Sequence, residues 1–338
     1  MISPALVLVQ TLNGVQFGMM LFLFAAGLTL VLGIMNLVNL AHGSIYMIGA
    51  FLAATFSAWT GSFILGLLLA LPAIFLVAVA VEIIVLRALY QRSHLDQVLA
   101  TFGIILLLNE LVRMIWGSSG LYVAMPGFLA GDVTLFSGIL YPTYRLAVIA
   151  LGLIVAAGLY WVIAWTRLGM LIRAGASNRE MVEAIGVDIR LLFTVVFGLG
   201  AMLAAFAGGL AGPILSVDTG MGDSVLILAL VVIVIGGIGS IRGTFVAALV
   251  IGVVDTIGRA FPADHDPAQL GLISNIGVDF GSLKLKSVTG YIETDDFNDS
   301  DFDQSEIFFF PTFRLQSHRQ FSQELRLAGN TDRVDWMV

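Results

Sequence analysis

The sequence predicts an all-α polytopic membrane protein with about eight hydrophobic segments and one broken helix, followed by a short, incomplete, β-rich C-terminal tail. Three observations carry that prediction. Of 338 residues, 59% are hydrophobic and only 12% charged, roughly half the charge density of a soluble domain. Apolar runs recur at about the 20-residue length that a helix needs to cross a hydrocarbon core. The formal net charge of −7 lies entirely at one end: residues 1–262 hold ten acids against ten arginines, and 263–338 hold thirteen acids against six bases. Charged residues are 20 of 262 in the first part and 19 of 76 in the second, so two compositions share one chain, divided into 1–262 and 263–338.

Taken in order, the first span covers about 12–35. The pattern breaks at Asn36-Leu-Val-Asn39-Leu-Ala-His42-Gly43 and resumes over 44–59. Further spans follow at about 63–86, 95–116, 144–165, 191–214, 225–238 and 244–261. No arginine or lysine precedes Arg87, so the first run lacks a signal peptide's n-region and reads as a retained span. The absence of cysteine excludes disulfides and thiolate metal sites. After Pro262, alternation in 283–291, 313–316 and 321–327 predicts strands, and the acidic run 295–303 between them reads as a solvated loop.

Arginines in short loops set the orientation, because positive residues near span ends stay cytoplasmic. The segment 167–190 carries four and is placed inside. Alternation then puts Arg87, Arg92 and Arg242 inside as well, leaving Arg113, Arg145 and Arg259 outside with the N-terminus.

Polar groups at membrane depth are costly, and a broken helix is tolerated there only where it is buried in protein or lines a watery cavity. Asn36, Asn39, His42 and Gly43 are therefore candidates for a translocation path; an interfacial turn with Gly43 as a cap is the alternative. Small residues at i+4 spacing, Gly200, Ala204, Gly208 and Gly212, and again Gly239 and Gly243, favour close helix packing over a gate. Gly236, Gly237 and Gly239 make that stretch too glycine-rich for one uninterrupted helix. A Walker A loop is excluded, since no lysine precedes Lys284.

The inside segment 173–186 reads as a short amphipathic helix with Ser177 as N-cap and Glu180 three residues on, a capping box. It offers either a docking surface or a helix lying at the membrane interface. In the tail, Asp299, Asp301 and Asp303 have the first spacings of a calcium loop, but Gln304 and Phe310 stand where its Gly and Glu belong. The four histidines lack metal-ligand spacing, so no metal or cofactor site is expected. Glu82 and Glu110 fall near span ends, which favours interfacial placement over a proton relay. No basic, aromatic-interleaved patch points to nucleic acid.

The segment Gly33-Ile-Met-Asn36-Leu-Val-Asn39-Leu-Ala-His42-Gly43-Ser-Ile-Tyr-Met47-Ile-Gly49-Ala50-Phe51 resembles the N-F-A-H-G-x-x-x-M-x-G-A-Y segment of LivH-type permeases, membrane subunits of branched-chain amino acid ABC importers. Leu40 and Phe51 replace the usual Phe and Tyr. Gly236-Gly-Ile-Gly239-Ser-Ile-Arg-Gly243 resembles that family's G-G-x-G-S-x-x-G, and 173–189 its cytoplasmic coupling segment. The resemblance covers about 5–261. It implies an inner-membrane, multi-pass transport subunit, not an enzyme, that pairs with a second related permease. Two cytoplasmic ATPases would drive it, and a periplasmic binding protein would supply substrate. Coupling would fall on Ser177, Asn178, Arg179, Glu180, Glu183 and Gly186, and 36–43 would line the path between the two permeases. A stand-alone secondary transporter or channel is the alternative.

The family's usual last span is not found after Phe261. Residues 283–291, 319–328 and 332–336 instead resemble barrel strands of TonB-dependent outer-membrane receptors, over about 272–338. A few strands cannot close a barrel. The expectation is a join of two unrelated gene fragments near 262–272; the opposing view, an outer-membrane receptor fragment, conflicts with eight apolar segments.

Overall fold

The computed structural model describes residues 4–90, 92–135, 139–260, 269–279, 283–301, 311–331 and 334–337. The chain divides into two units, 1–256 and 257–338.

The first unit is helical. All eight expected segments are helices: α1 (Pro4–Met35), α2 (His42–Thr60), α3 (Phe63–Ile84), α4 (His94–Trp116), α5 (Thr143–Trp165), α8 (Ile189–Ala211), α9 (Met221–Gly236) and α10 (Ile241–Ala260). Two short helices, α6 (Arg167–Ser177) and α7 (Arg179–Ala184), lie between α5 and α8. Among the described residues, six helices are long and apolar enough to cross a membrane: α1, α3, α4, α5, α8 and α10. The other two differ in kind. α9 has only 16 residues, and α2 opens with His42, Gly43 and Ser44 and ends with Trp59 and Thr60.

Burial separates these helices by role. α1 and α8 are mostly buried, and α2 is buried from His42 through Phe51. Around them, α3, α4, α5 and α10 expose most of their apolar surface, including Leu68, Leu106, Ile154 and Val250. Exposed apolar faces of that extent belong against lipid or another subunit, because water would penalise them. The core therefore holds the helices that flank the polar break and that carry Gly200 and Gly208, whereas Gly236, Gly237, Gly239 and Gly243 lie outside it.

The segments assigned inside meet at one end of the bundle. The 36–41 break touches the start of α4 through Val38 and Gln97. Gly33 faces Gly239 in the α9–α10 turn, and Gly175 of α6 packs on Leu192 and Ile34. Outside segments meet at the other end, where Tyr141 and Arg145 both donate hydrogen bonds to Asn13 of α1, and Leu121 pairs with Val217. There, strands β1 (Asp132–Thr134) and β2 (Leu140–Pro142) form a small antiparallel hairpin.

The second unit is a four-stranded antiparallel sheet in the order β3-β4-β5-β6: β3 (Gln269–Asp279), β4 (Leu283–Asp301), β5 (Pro311–Thr331) and β6 (Val334–Met337). Alternation in 283–291 falls within β4, and that in 313–316 and 321–327 falls within the single longer β5; β3 and β6 lie outside the stretches it marked. The acidic run expected to be a loop is strand through Asp301, with Asp295 opposite Ser317 and Asp299 opposite Phe313. Ladder pairing with β5 gives these backbone groups partners, overriding a composition that disfavours strand. Asp299 and Asp301 thus lie in an extended strand rather than in a calcium-binding turn; Asp303, Gln304 and Phe310 lie outside the described residues.

Candidate functional site: the broken segment and the two short helices

Helix α1 ends because Asn36 turns left-handed, with φ of 50°; it is the only non-glycine residue of positive φ among the described residues. Asparagine tolerates that conformation through its short polar side chain. The chain then runs irregularly to Ala41, and side chains replace the missing helical bonds. Asn39 Oδ1 accepts from the Ala41 N–H at 3.1 Å, and the Val38 N–H donates to Gln97 Oε1 at 3.1 Å. Irregular backbone buried in a membrane protein requires such partners.

The four candidate residues of this segment do not share one environment. Asn36 is exposed, whereas Asn39, His42 and Gly43 are buried within the subunit. The His42 ring is tilted against Phe24 of α1, 5.0 Å between centroids, and neither ring nitrogen makes a well-formed hydrogen bond. Asn39 Nδ2 also lacks a partner. Buried polar groups left this way favour a water or a polar solute nearby. Gly43 is where α2 meets α9: a Cβ there would lie 2.8 Å from the Gly222 carbonyl oxygen, and one on Gly222 would strike the Gly43 carbonyl. Ser44 Oγ reaches Asn109 Oδ1 of α4 at 3.3 Å, a further polar contact in this region.

The segment 173–186 differs from the expected capping box. Ser177 is the last residue of α6, and Asn178, with extended φ and ψ of −154° and 101°, caps α7 by accepting from the Met181 N–H at 2.9 Å. Glu180 consequently sits one position too early to complete a box. The displacement arises because Thr166 caps α6 and lets it run unbroken to Ser177. Val182 alone of α7 is buried. Ser177, Asn178, Glu180, Glu183 and Gly186 are exposed, as are the apolar Met181 and Ile185. Gly186, at φ of 91°, terminates α7 where other residues would be strained. Arg179 turns inward, its guanidinium 5.3 Å above the Phe193 ring of α8. Asp188 Oδ1 caps α8 by accepting from the Arg190 and Leu191 N–H groups.

The singled-out glycines occupy backbone crossings. Gly200 faces Gly27 of α1, Gly208 lies on the Tyr46 carbonyl of α2, and Gly212 meets Val123. Gly236 and Gly243 face each other across the α9–α10 turn, a Gly236 Cβ lying 2.5 Å from the Gly243 carbonyl carbon. Gly237 and Gly239 have φ of 88° and 79° and form the turn itself.

The sequence is similar to known proteins over most of its length. Residues 10–275 match the family described as branched-chain amino acid transport system / permease component. The chain belongs to this permease family. Its match runs past the compositional break at Pro262, to which the resemblance was expected to be limited. The chain is 32% identical over 279 residues to the high-affinity branched-chain amino acid transport system permease protein BraD of Pseudomonas aeruginosa, covering 78% of this chain and 91% of the relative. It is 27% identical over 276 residues to LivH of Escherichia coli K12, covering 75% and 86%, and 27% identical over 259 residues to a probable LivH of Methanocaldococcus jannaschii, covering 72% and 79%. No solved structure matches the chain. The permease is thus a multi-pass membrane transport subunit and not an enzyme.

Two polar clusters of the permease escaped the sequence reading. Glu82, expected at an interface, is fully buried at the end of α3. It accepts from Arg87 Nη2 at 3.1 Å, from the Tyr90 hydroxyl at 2.5 Å and from Thr194 Oγ1 of α8 at 2.8 Å. Those partners make burial of a carboxylate tolerable. Burial and the Glu82 hydrogen bond push the Tyr90 hydroxyl well above its ordinary range, and the same carboxylate raises the Arg87 guanidinium. Glu110 is exposed, 3.5 Å from Arg113. The second cluster centres on buried Gln97. The available signal was Glu82 five residues before Arg87, with Thr194 an isolated polar residue in an apolar run.

Proposed function

We propose that the chain is the membrane-spanning permease subunit of an ATP-driven importer for branched-chain amino acids or related small amino acids and amides. Substrate passes from a periplasmic binding protein to the cytoplasm by alternating access, across a bacterial inner membrane. A second related permease completes the path, and two cytoplasmic ATPase subunits drive it. The observation that carries this reading is α7: a capped helix anchored by one buried residue, presenting Met181, Ile185, Glu180 and Glu183 at the end of the bundle where the helix break lies. An apolar pair one turn apart with flanking acids suits a protein partner better than lipid headgroups, which favour basic faces.

In this mechanism, movement of the ATPases on nucleotide binding is delivered at 177–186. Asn36 faces the path beside the second permease, and Asn39, His42 and Gly43 behind it set the shape of the break. The glycine crossings let α1, α2, α8 and α9 act as one unit. Purification with the cognate ATPase tests the reading: the ATPase should accompany the parent chain and be lost on Glu180→Lys or Met181→Asp. An ATPase that never accompanies the parent chain points to a stand-alone secondary transporter or channel.

We also propose that 1–262 forms the permease domain and that 263–338, resembling TonB-dependent receptor strands, is a fragment joined to it. The sharp change in charge density at the boundary supports this, as does a sheet whose strand order leaves β3 and β6 as open edges.

A further inference from the structure

The break in α1–α2 and the coupling helix are both held by the segment between α3 and α4, a 3₁₀ turn at Leu86–Leu89 followed by Tyr90, Arg92 and Ser93. On one side, Gln97 in the first turns of α4 is buried, and its amide spans two backbones. Oε1 accepts from the Val38 N–H at 3.1 Å, and Nε2 donates to the Leu89 and Arg92 carbonyls at 3.2 and 3.3 Å. His94 Nδ1 lies 3.3 Å from the same Oε1. On the other side, the Tyr90 ring meets Phe193 edge to face, 5.4 Å between centroids, and Arg179 of α7 sits over that Phe193. Glu82 holds the Tyr90 hydroxyl and Thr194 together, which fixes the loop to α8.

We infer that this loop is the mechanical link between the coupling helix and the broken segment, with Gln97 as the positioning residue that joins the loop to the break. The inference rests on the ATP-driven importer reading. A displacement of α7 moves Phe193 and Tyr90 by direct contact, and the loop carries Leu89 and Arg92, whose carbonyls hold the Gln97 amide. Val38 follows because its N–H has Gln97 as its partner, and an alternative at that depth is costly. The Val38–Gln97 bond ties the 36–41 backbone to α4 and, through the Gln97 amide, to the Leu89 and Arg92 carbonyls of the loop before it. Such a chain of packed and hydrogen-bonded groups is a physical route, and its coupling has to be measured.

The test uses the full importer, reconstituted with its ATPases and binding protein. Because the chain has no cysteine, Val38→Cys provides a single labelling site. Nucleotide should change its maleimide labelling rate in the parent background, and Gln97→Leu should remove that change. Gln97→Leu should also lower transport per ATP hydrolysed by about tenfold while ATPase subunits remain bound. Gln97→Glu keeps the Val38 acceptor but not the donors to Leu89 and Arg92, and should fall between. Arg179→Gln combined with Gln97→Leu should be no worse than the more severe single variant, since both interrupt one linkage. Unchanged transport per ATP in Gln97→Leu, labelling insensitive to nucleotide in the parent, or fully additive effects would each overturn the inference. Failure of the importer reading shows differently, as absence of the ATPase from the purified parent complex.

Discussion

At the scale of single residues, the most consequential side chain outside the break is Glu82. Three residues donate to it, so truncation removes the Tyr90 hydroxyl's acceptor and leaves Arg87 and Thr194 with only each other and the Arg190 carbonyl, while an isosteric amide retains part of the geometry. Glu82→Ala is expected to lower the thermal midpoint of the detergent-solubilised protein by about 5 °C, with Glu82→Gln nearer the parent. A thermal scan in which both variants match the parent would show that the cluster stabilises nothing. A sequence reading places Glu82 at an interface because isolated acids are costly at depth. It misses the cluster because Thr194 is 112 positions away, and such pairing is a property of the fold. Asn36 was legible for the opposite reason: an asparagine after an apolar run is a local signal, and the left-handed turn it makes is local too.

At the scale of elements, helix crossings depend on which glycines face backbone. Gly222→Ala places a methyl group against the Gly43 carbonyl and should destabilise the α2–α9 contact by about 1–3 kcal/mol. Gly158→Ala in α5 meets nothing within 4 Å and should be neutral, or stabilising by about 0.5–1 kcal/mol through helix propensity. Equal effects from the two, measured by denaturant or thermal unfolding in detergent, would contradict the crossing geometry. The eight apolar helices and their order were legible because long hydrophobic runs are a local signal, whereas the division of the 167–186 segment into α6 and α7 was not. The α7 cap was not: Ser177 and Asn178 are both good caps, and only the length of α6 selects between them. Met181 and Ile185 were likewise passed over, since apolar residues in an amphipathic segment read as its buried face. The anchor is instead Val182 alone. Met181→Asp should abolish ATPase association with little loss of folded yield, because its side chain is exposed.

At the scale of the whole molecule, the net charge of −7 describes the tail and not the transporter, whose ten acids and ten arginines cancel. That contrast is the ground for proposing a boundary near Pro262; the structure divides between 256 and 257, and the family match continues to residue 275. β4 and β5 were legible from period two, β3 and β6 were not, and the extent of β4 was missed because ladder pairing carried it through an acidic run. If 263–338 is a joined fragment, replacing it with an unrelated final span should leave transport at the level of the full chain or higher. Transport that requires the tail's own sequence would contradict the join.

The central claim is that this membrane subunit carries small amino acids only when ATPases act on its cytoplasmic helices. Uptake of labelled leucine into proteoliposomes containing the full chain, its partner permease and the cognate ATPases, with binding protein added outside, tests it most directly. The account predicts accumulation that requires both ATP inside the vesicles and the binding protein outside, and that Met181→Asp abolishes. Accumulation that persists without ATP, driven by an ion gradient alone, would contradict it.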